Sequence, residues 1–162
     1  MRDDILVSVI VPVFNAEPFI EKCVRNLMEQ SMKDGIEFIF INDCTPDNSM
    51  EILSQVIENY PEREKQIRIV HHEDNKGITY TRKEGIMLAH GEYIAWCDSD
   101  DWVEDNYYQT LFNATENGQI DIVFCDFIKE FIDRTEFIEY PHYTSPKHCR
   151  DNRRMCQGQT LP

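Results

Sequence analysis

Residues 7–14 read Val-Ser-Val-Ile-Val-Pro-Val-Phe, a nearly continuous apolar run that is rich in β-branched side chains. Such a run suits a strand that is buried on both faces, as in a parallel sheet covered by helices on each side. Residues 15–18, Asn-Ala-Glu-Pro, follow directly and open a helix, because proline and an acidic side chain are favourable near a helix start. The stretch therefore predicts the first strand and helix of an α/β domain.

The same alternation continues along the chain. We predict further strands over 37–43, 67–71, 93–97 and 120–125, and helices that start near Pro46, follow Gly77 and span 105–115. The first helix carries an apolar stripe at the helical period, namely Phe19, Ile20, Cys23, Val24, Leu27 and Met28. Strands that alternate with helices predict an α/β fold with a mostly parallel sheet flanked by helices.

The pattern is lost from about residue 129. Residues 131–143 contain apolar side chains without a clear period, and residues 150–162 are polar. We therefore assign residues 1–128 to the α/β domain and residues 129–162 to an irregular segment or to part of a further region. On this interpretation the α/β fold is incomplete at its C-terminal end.

The charge of the chain is strongly negative and unevenly distributed. The formal net charge is −14, while residues 133–162 carry five basic and four acidic side chains, so the first 132 residues carry −15. A body this acidic is a poor nucleic-acid binder, because phosphate contacts need lysine and arginine. A polyphosphate ligand would need a cation to reconcile its charge with that of the protein, which indicates a metal ion.

The sequence shows no membrane span and no secretory signal. No run approaches the roughly 18 apolar residues that cross a bilayer, and the polar start does not resemble a signal peptide. We expect a cytoplasmic location. Association with the inner face of the membrane would require segments outside this chain.

The six cysteines do not form a metal-binding pattern. Cys23, Cys44, Cys97 and Cys125 lie at wide spacings in apolar or strand-like surroundings, which predicts buried free thiols in a reducing compartment. Cys149 and Cys156 lie near His142 and His148, but their spacing fits no established zinc site.

Polar residues collect where the predicted strands end. Asn15 ends the first strand, Asp43 the second, and Asp98-Ser99-Asp100 the fourth. In an open parallel sheet, ligands bind beyond the carboxyl ends of the strands, so these residues should line one edge. Two crowded carboxylates repel unless a cation lies between them, and such oxygen ligands suit Mg²⁺ or Mn²⁺. An acidic helix N-cap would explain the same Asp-Ser-Asp motif.

Two further candidates have equally plain structural explanations. Asp43 could accept hydrogen bonds from a base or a ribose, or it could simply form a turn. Arg82, on the helix after Gly77, could meet a phosphate or carboxylate, or it could be a solvated helix arginine.

Four segments together resemble the N-terminal part of the family 2 glycosyltransferases, which have the GT-A fold. They are residues 7–15, Phe40-Ile41-Asn42-Asp43, Asn75-Lys76-Gly77 with Arg82, and residues 91–101, Gly-Glu-Tyr-Ile-Ala-Trp-Cys-Asp-Ser-Asp-Asp. Their order and spacing match over roughly residues 5–127. The resemblance implies a Rossmann-type nucleotide-sugar-binding domain over residues 1–128 and an acceptor-side segment after it.

The resemblance also implies roles for the matching positions. Phe14 would lie beside the base of a uridine diphosphate sugar, and Asp43 would hydrogen-bond that base. Asp100 would be the main metal ligand, and Asp98 would contact the ribose or the metal shell. The remaining nucleotide-sugar-binding positions are Pro12, Val13, Asn15, Glu17, Gly77, Arg82 and Ser99.

The family implies inverting, metal-assisted transfer of the sugar to a hydroxyl acceptor, which could be a glycan, a lipid-linked molecule or another compound. A general base would take the proton of the acceptor hydroxyl. Relatives place that base well beyond the metal motif, so Asp126, Asp133, Glu136 and Glu139 come too early or out of context. We therefore assign no catalytic base, and we expect this chain to carry the donor-binding part.

Two other functions remain to be weighed. A non-catalytic nucleotide-binding module with the same fold explains the missing base equally well. A nucleotidyl transferase would need a basic, glycine-rich loop after the first strand to hold a triphosphate, whereas residues 15–18 are acidic and lack glycine. Turnover of a donor sugar would distinguish the transferase from the binding module.

Overall fold

The computed structural model describes residues 5–130 and 133–138, and residues 154–157 for their backbone alone. Helices and strands alternate as predicted, with boundaries that differ by a few residues. The strands are β1 (Val7–Val13), β2 (Ile36–Asn42), β3 (Ile67–His71), β4 (Tyr93–Trp96), β5 (Ile122–Phe124), β6 (Phe127–Glu130), β7 (Thr135–Ile138) and β8 (Arg154–Gln157). The helices are α1 (Ile20–Glu29), α2 (Ser49–Ile57), α3 (Ile78–Leu88) and α4 (Tyr107–Asn113), and a 3₁₀ helix (Pro61–Gln66) precedes β3.

One six-stranded sheet positions the site, and its strand order is β3-β2-β1-β4-β8-β5. Every neighbouring pair in it is parallel, which confirms the predicted α/β fold. The chain adds β2 and then β3 on one side of β1, and then adds β4 on the other side. The strand order therefore reverses between β1 and β4, which opens a crevice where open α/β sheets bind their ligands.

Helices α1 and α2 cover one face of this sheet. Val7, Val9, Val11 and Val13 of β1 are buried against that layer, together with five apolar side chains of α1. The apolar stripe predicted for the first helix is thus confirmed except at Phe19, which is 47% exposed. Phe19 precedes the first residue of α1, so it lies outside the helical period that buries the others.

Helix α3 covers the opposite face, where Ile10, Ile39, Ile41 and Ile94 form a second apolar cluster. Gly85 allows close contact, because a Cβ atom there would lie 2.3 Å from Cγ2 of Ile10. The backbone of α3 therefore rests directly on β1. This contact fixes the start of α3 beside the strand ends that form the crevice.

The C-terminal strands are not predicted from the sequence. β6 and β7 pair as an antiparallel hairpin, and β8 inserts in parallel between β4 and β5. Each of these three strands has four residues, which is too short for a clear apolar period. The division of the chain at residue 128 stays a prediction.

The described cysteines are free, as predicted. Cys23 and Cys97 are buried, whereas Cys44 is exposed, so the prediction of burial is wrong there. Cys44 follows β2 in a loop with a backbone φ of 56°, and this turn directs it out of the core. Cys149, His142 and His148 lie outside the described residues.

Within the part of the chain that the structure describes, no helix combines the length and the apolar character that crossing a membrane requires.

Candidate functional site

A cavity of about 390 Å³ opens at the carboxyl ends of β1, β2 and β4, where the strand order reverses. Nine of the residues that the sequence singled out line it, namely Pro12, Val13, Phe14, Asn15, Asp43, Gly77, Asp98, Ser99 and Asp100. Five residues that the sequence analysis did not assign to the site line it as well: Ala16, Phe19, Asn75, Ile78 and Thr81. The carboxyl ends of parallel strands lie at the same edge of a sheet, so the residues that follow these strands meet at that edge.

The ends of β1 and β2 are tied to each other. The backbone N–H of Asn15 donates to Oγ1 of Thr45 at 2.8 Å. Asn15 and Cys44 both adopt left-handed backbone conformations, with φ of 52° and 56°. Such conformations are uncommon for residues other than glycine and concentrate at functional sites. The paired turns hold the floor of the cavity in one arrangement.

Two aromatic side chains line the cavity and remain partly exposed to solvent. Phe14 is 45% exposed and Phe19 is 47% exposed, although both line the cavity. A large apolar side chain left open to water beside a concave site gains free energy when a flat ligand covers it. Phe14 is therefore in a position compatible with its predicted place beside a base.

Asp43 is buried at the end of β2 and holds the loop before α3. Its carboxylate accepts hydrogen bonds from the backbone N–H groups of Lys76 and Gly77, both at 2.8 Å. Burial raises the pKa of Asp43, but these bonds and the one from His72 outweigh it and lower the pKa. A carboxylate offers about four acceptor positions, so three bonds leave capacity for one more donor.

His72 and Glu84 extend this group and were not predicted. Nδ1 of His72 lies 2.7 Å from Oδ1 of Asp43, and Nε2 lies 2.5 Å from Oε2 of Glu84. His72 directly follows β3, so the strand-end rule that selected Asp43 could have selected it too. Glu84 lies on α3, and the sequence carries no signal that joins it to the site.

Arg82 is linked to the site by an ion pair with Asp98. Its Nη2 donates to both carboxylate oxygens of Asp98, at 2.7 and 2.8 Å. Arg82 does not line the cavity, and its Nε is buried without a hydrogen-bond partner in the described part of the chain. The guanidinium thus compensates the charge of Asp98 within the crowded acidic motif.

Asp100 differs from Asp98 in that no basic side chain among the described residues pairs with its carboxylate. Among the described residues, its partly exposed carboxylate has no hydrogen-bond or ion-pair partner. Those residues also contain no cluster of three metal-ligating side chains. Mg²⁺ and Mn²⁺ sites built from one or two carboxylates plus ligand phosphates and water need no such cluster. The donor set of Asp98 and Asp100 therefore fits a divalent ion that arrives with a phosphate ligand.

Glu17, which the resemblance places near the nucleotide, does not line the cavity. Its carboxylate accepts hydrogen bonds from the backbone N–H and the Nδ2 of Asn48, at 3.0 and 3.1 Å. Asn48 precedes α2, so Glu17 places a negative charge at the positive end of that helix. Its predicted nucleotide contact stays a prediction.

Asp47 also links the segment around Glu17 to the start of α2. Its carboxylate accepts from the hydroxyls of Thr45 and Ser49 and from the backbone N–H of Glu17. Burial raises the pKa of Asp47, but the hydrogen bonds from Ser49, Thr45 and Glu17 outweigh it and lower the pKa to about 2. A carboxyl group whose folded pKa is depressed stabilises the fold above its unfolded pKa and loses that effect in acid.

We therefore expect Asp47→Asn to lower the free energy of unfolding by about 2 kcal/mol at neutral pH. The difference from the parent protein should shrink as the pH falls from about 4 to about 2, where Asp47 takes up its proton. Urea denaturation at several pH values measures it, with the exposed Asp74→Asn as a charge-matched control. A difference that is independent of pH would contradict the assigned role of the carboxylate.

No described acidic residue of the C-terminal region lies at the cavity. Asp126 and Asp133 are exposed, and Glu136 accepts a hydrogen bond from Arg134 at 2.8 Å. Glu139 lies outside the described residues. A general base therefore remains unassigned.

Comparison with known proteins agrees with this arrangement. The sequence model of Glycosyl transferase family 2 matches residues 8–162. The uncharacterized glycosyltransferase EpsJ of Bacillus subtilis (strain 168) is 44% identical over 133 residues. That match covers 82% of this chain and 37% of EpsJ, so the chain spans little more than a third of that relative.

Solved structures share the fold. S. aureus TarS 1–349 in complex with UDP-GlcNAc superposes with a TM-score of 0.64 at 26% identity, over 74% of this chain and 34% of the TarS 1–349 chain. The mannosyltransferase PcManGT from Pyrobaculum calidifontis, in complex with GDP-Man and Mn²⁺, gives a TM-score of 0.59 at 26% identity, over 68% of this chain and 31% of that one.

Proposed function

Since the chain belongs to Glycosyl transferase family 2, we propose that it is the donor-binding part of an inverting glycosyltransferase that takes a sugar from a nucleotide diphosphate, in the first instance UDP. The observation that carries the proposal is the cavity itself. Strand ends from β1, β2 and β4 bring an aromatic ring, a buried carboxylate and a paired acidic motif into one crevice. The ring can stack on a base, the buried carboxylate can accept a hydrogen bond from a base or a ribose, and the acidic motif can hold the cation that accompanies a diphosphate.

The base would lie between Phe14 and Asp43. Phe14 supplies an open aromatic face, and Asp43 retains acceptor capacity that a base N–H could use. TarS binds UDP and UDP-GlcNAc, which supports uridine as the first nucleotide to test. Pro12, Val13, Asn15 and Gly77 would follow the nucleotide along the strand ends.

The diphosphate would lie beside Asp98, Ser99 and Asp100. Two carboxylates and a strongly negative body repel a diphosphate, so a cation must accompany it. Mg²⁺ or Mn²⁺ held by Asp100 and Asp98 would act as a Lewis acid that stabilises the charge of the leaving diphosphate. The Mn²⁺ complex of PcManGT supports this assignment.

Arg82 gives Asp98 a second possible state. In the structure the guanidinium neutralises Asp98 through both carboxylate oxygens. Once a cation shares that carboxylate, Arg82 becomes available to a phosphate oxygen, which arginine binds well. We propose that Arg82 flanks the nucleotide in this way, as the resemblance implies.

Transfer would join an acceptor hydroxyl to the anomeric carbon with inversion, while the sugar–phosphate bond breaks. The acceptor, whether a glycan, a lipid-linked molecule or another hydroxyl compound, and the base that takes its proton lie beyond the residues assigned to the donor site. The predicted cytoplasmic location, with access to the inner membrane face through further segments, stays part of this proposal.

Calorimetric titration with UDP, with and without Mn²⁺, tests the donor site. We expect binding that depends on the metal and that favours UDP over UTP, since a nucleotidyl transferase would show the reverse preference. Failure to bind UDP, GDP or their sugars under any condition would refute the proposal. Release of free sugar from the donor distinguishes a transferase from a non-catalytic nucleotide-binding module.

A further inference from the structure

His72 occupies an unusual electrostatic position behind the base site. Its side chain is only 4% exposed, and the carboxylate of Asp43 that it contacts is 5% exposed. Its two ring nitrogens face two carboxylates on different elements, Asp43 after β2 and Glu84 on α3. The imidazole therefore links both elements beneath the loop that Asp43 holds.

The geometry determines the protonation of this ring. An ionised carboxylate only accepts hydrogen bonds, and a neutral imidazole has a single N–H to donate. Two contacts of 2.7 and 2.5 Å to carboxylate oxygens therefore require an imidazolium, unless one carboxyl carries a proton instead. Asp43 accepts two backbone N–H groups, which favour its ionised form.

The direction of both pKa shifts agrees with this assignment. Burial lowers the pKa of His72, but the hydrogen bonds to Glu84 and Asp43 outweigh it and raise the pKa. The pKa of Asp43 is lowered, as described above. Both shifts favour a proton on the imidazole over a proton on Asp43.

Other charged groups near His72 do not replace either carboxylate. The ring of Tyr80 on α3 contacts His72 edge-on with centroids 5.7 Å apart, and the ammonium of Lys76 lies 5.2 Å from that ring. The ammonium of Lys76 thus lies over the Tyr80 ring, whereas the two carboxylates contact the imidazole directly. Glu73 and Asp74 are exposed, and the exposed His71 contacts Asn42 instead.

We propose that His72 is a positioning residue of the base site: as an imidazolium it fixes the Asp43 carboxylate against the Lys76–Gly77 backbone, and nucleotide binding weakens when it loses its proton. This inference rests on the proposed binding of a nucleotide at Asp43. A neutral ring has one N–H for two carboxylates, so it donates to Asp43 in one tautomer and presents a lone pair to Asp43 in the other. The Asp43 carboxylate, and the loop it holds, is then fixed less firmly.

The sign of the pH dependence follows directly. Nucleotide binds best with His72 protonated, so affinity should be constant below the pKa of His72. Above that pKa it should fall by about tenfold for each pH unit, until a plateau is reached. The stabilisation that His72 gives the fold should be complete below the pKa of His72 in the unfolded chain and should be lost as the pH rises through its raised folded pKa.

The test is UDP binding with Mg²⁺ between about pH 6.5 and pH 9.5, measured on the full chain and on three variants. His72→Gln cannot titrate, so its affinity should be lower at neutral pH and free of the His72 step. Glu84→Gln removes one carboxylate from a partly exposed position, so the step should move to lower pH while the affinity below it is retained. His71→Gln is the matched control and should retain the parent profile. Titration of the nucleotide itself is common to all four proteins and cancels.

Imidazole nitrogen NMR of the ligand-free chain tests the charge separately and should show both nitrogens of His72 protonated at neutral pH. A neutral His72, or a parent profile that superimposes on that of His72→Gln, would overturn the inference. A constant loss of affinity in Glu84→Gln without a shifted step would reduce His72 to a structural role. Absence of binding of UDP, GDP and their sugars in the parent at every pH would refute the proposed function and, with it, the nucleotide step of this inference, whereas the NMR result would still decide the charge.

Discussion

Asp100→Asn is expected to weaken UDP binding in the presence of Mn²⁺ by at least about a hundredfold, which corresponds to about 2.7 kcal/mol. Asp100 lines the cavity, and its carboxylate has no partner among the described residues. The amide keeps the shape of the side chain but removes the charge that attracts a divalent ion. Because no contact within the fold is lost, the unfolding midpoint should stay unchanged.

The matched control for this variant is Asp105→Asn, which makes the same change of charge at an exposed position outside the cavity. It should bind UDP like the parent chain. Asp98→Asn should weaken binding as well, but it also releases Arg82 from its ion pair, so the stability should change with it. Equal, metal-independent affinities in the parent and in Asp100→Asn would exclude Asp100 as a metal ligand.

The position of the site could be predicted because two simple regularities agree. A strand buried on both faces, such as residues 7–13, implies a parallel sheet, and parallel strands end at one edge. Asn15, Asp43 and Asp98 each follow a strand, so their convergence needed no knowledge of the tertiary fold. The cavity at the strand ends is the direct result.

The partner that each side chain selects could not be predicted in the same way. Glu17 and Arg82 belong to the predicted set, yet one contacts Asn48 and the other contacts Asp98. Glu84 contacts His72 only because α3 packs across the end of β3. Such pairings depend on how helices lie against the sheet, which short sequence periods do not encode.

Strand β8 shows the same limit for the backbone. Its four residues lie in a polar stretch without alternation, and they join the sheet between β4 and β5 through parallel pairing. Parallel pairing links residues far apart in sequence, so local composition carries little information about it. The apolar run of β1, in contrast, is recognisable from its own residues.

Replacement of Arg63 should have the largest effect on stability, although this residue is far from the site residues in sequence and belongs to no functional motif. Its side chain is among the largest buried ones, at 1% exposure. The guanidinium donates to the backbone carbonyls of Met28, Gln30 and Met32, at 3.0, 2.5 and 2.9 Å. Burial lowers the pKa of Arg63, because it removes the charge from water.

These carbonyls belong to the end of α1 and the loop after it, where a helix leaves its last acceptors without intrahelical donors. Arg63→Met keeps an unbranched apolar stem but removes every donor. Several buried acceptors would then lack partners, each at a cost of about 1 to 3 kcal/mol, so we expect a total loss of about 3 to 5 kcal/mol. A loss of that size is a large fraction of the stability of a typical domain.

Urea denaturation of the parent chain and of Arg63→Met measures this loss. Arg25→Met is the control, because Arg25 lies on α1 and its ion pair with Glu21 is exposed, so its replacement should change little. Because α1 also borders the site, through Cys23 and through Phe19 directly before the helix, the Arg63 variant should lose UDP affinity only at denaturant concentrations that begin to unfold it. An Arg63→Met protein as stable as Arg25→Met would mean that water replaces the guanidinium at those carbonyls, and the buried arginine would then have no role in ending α1.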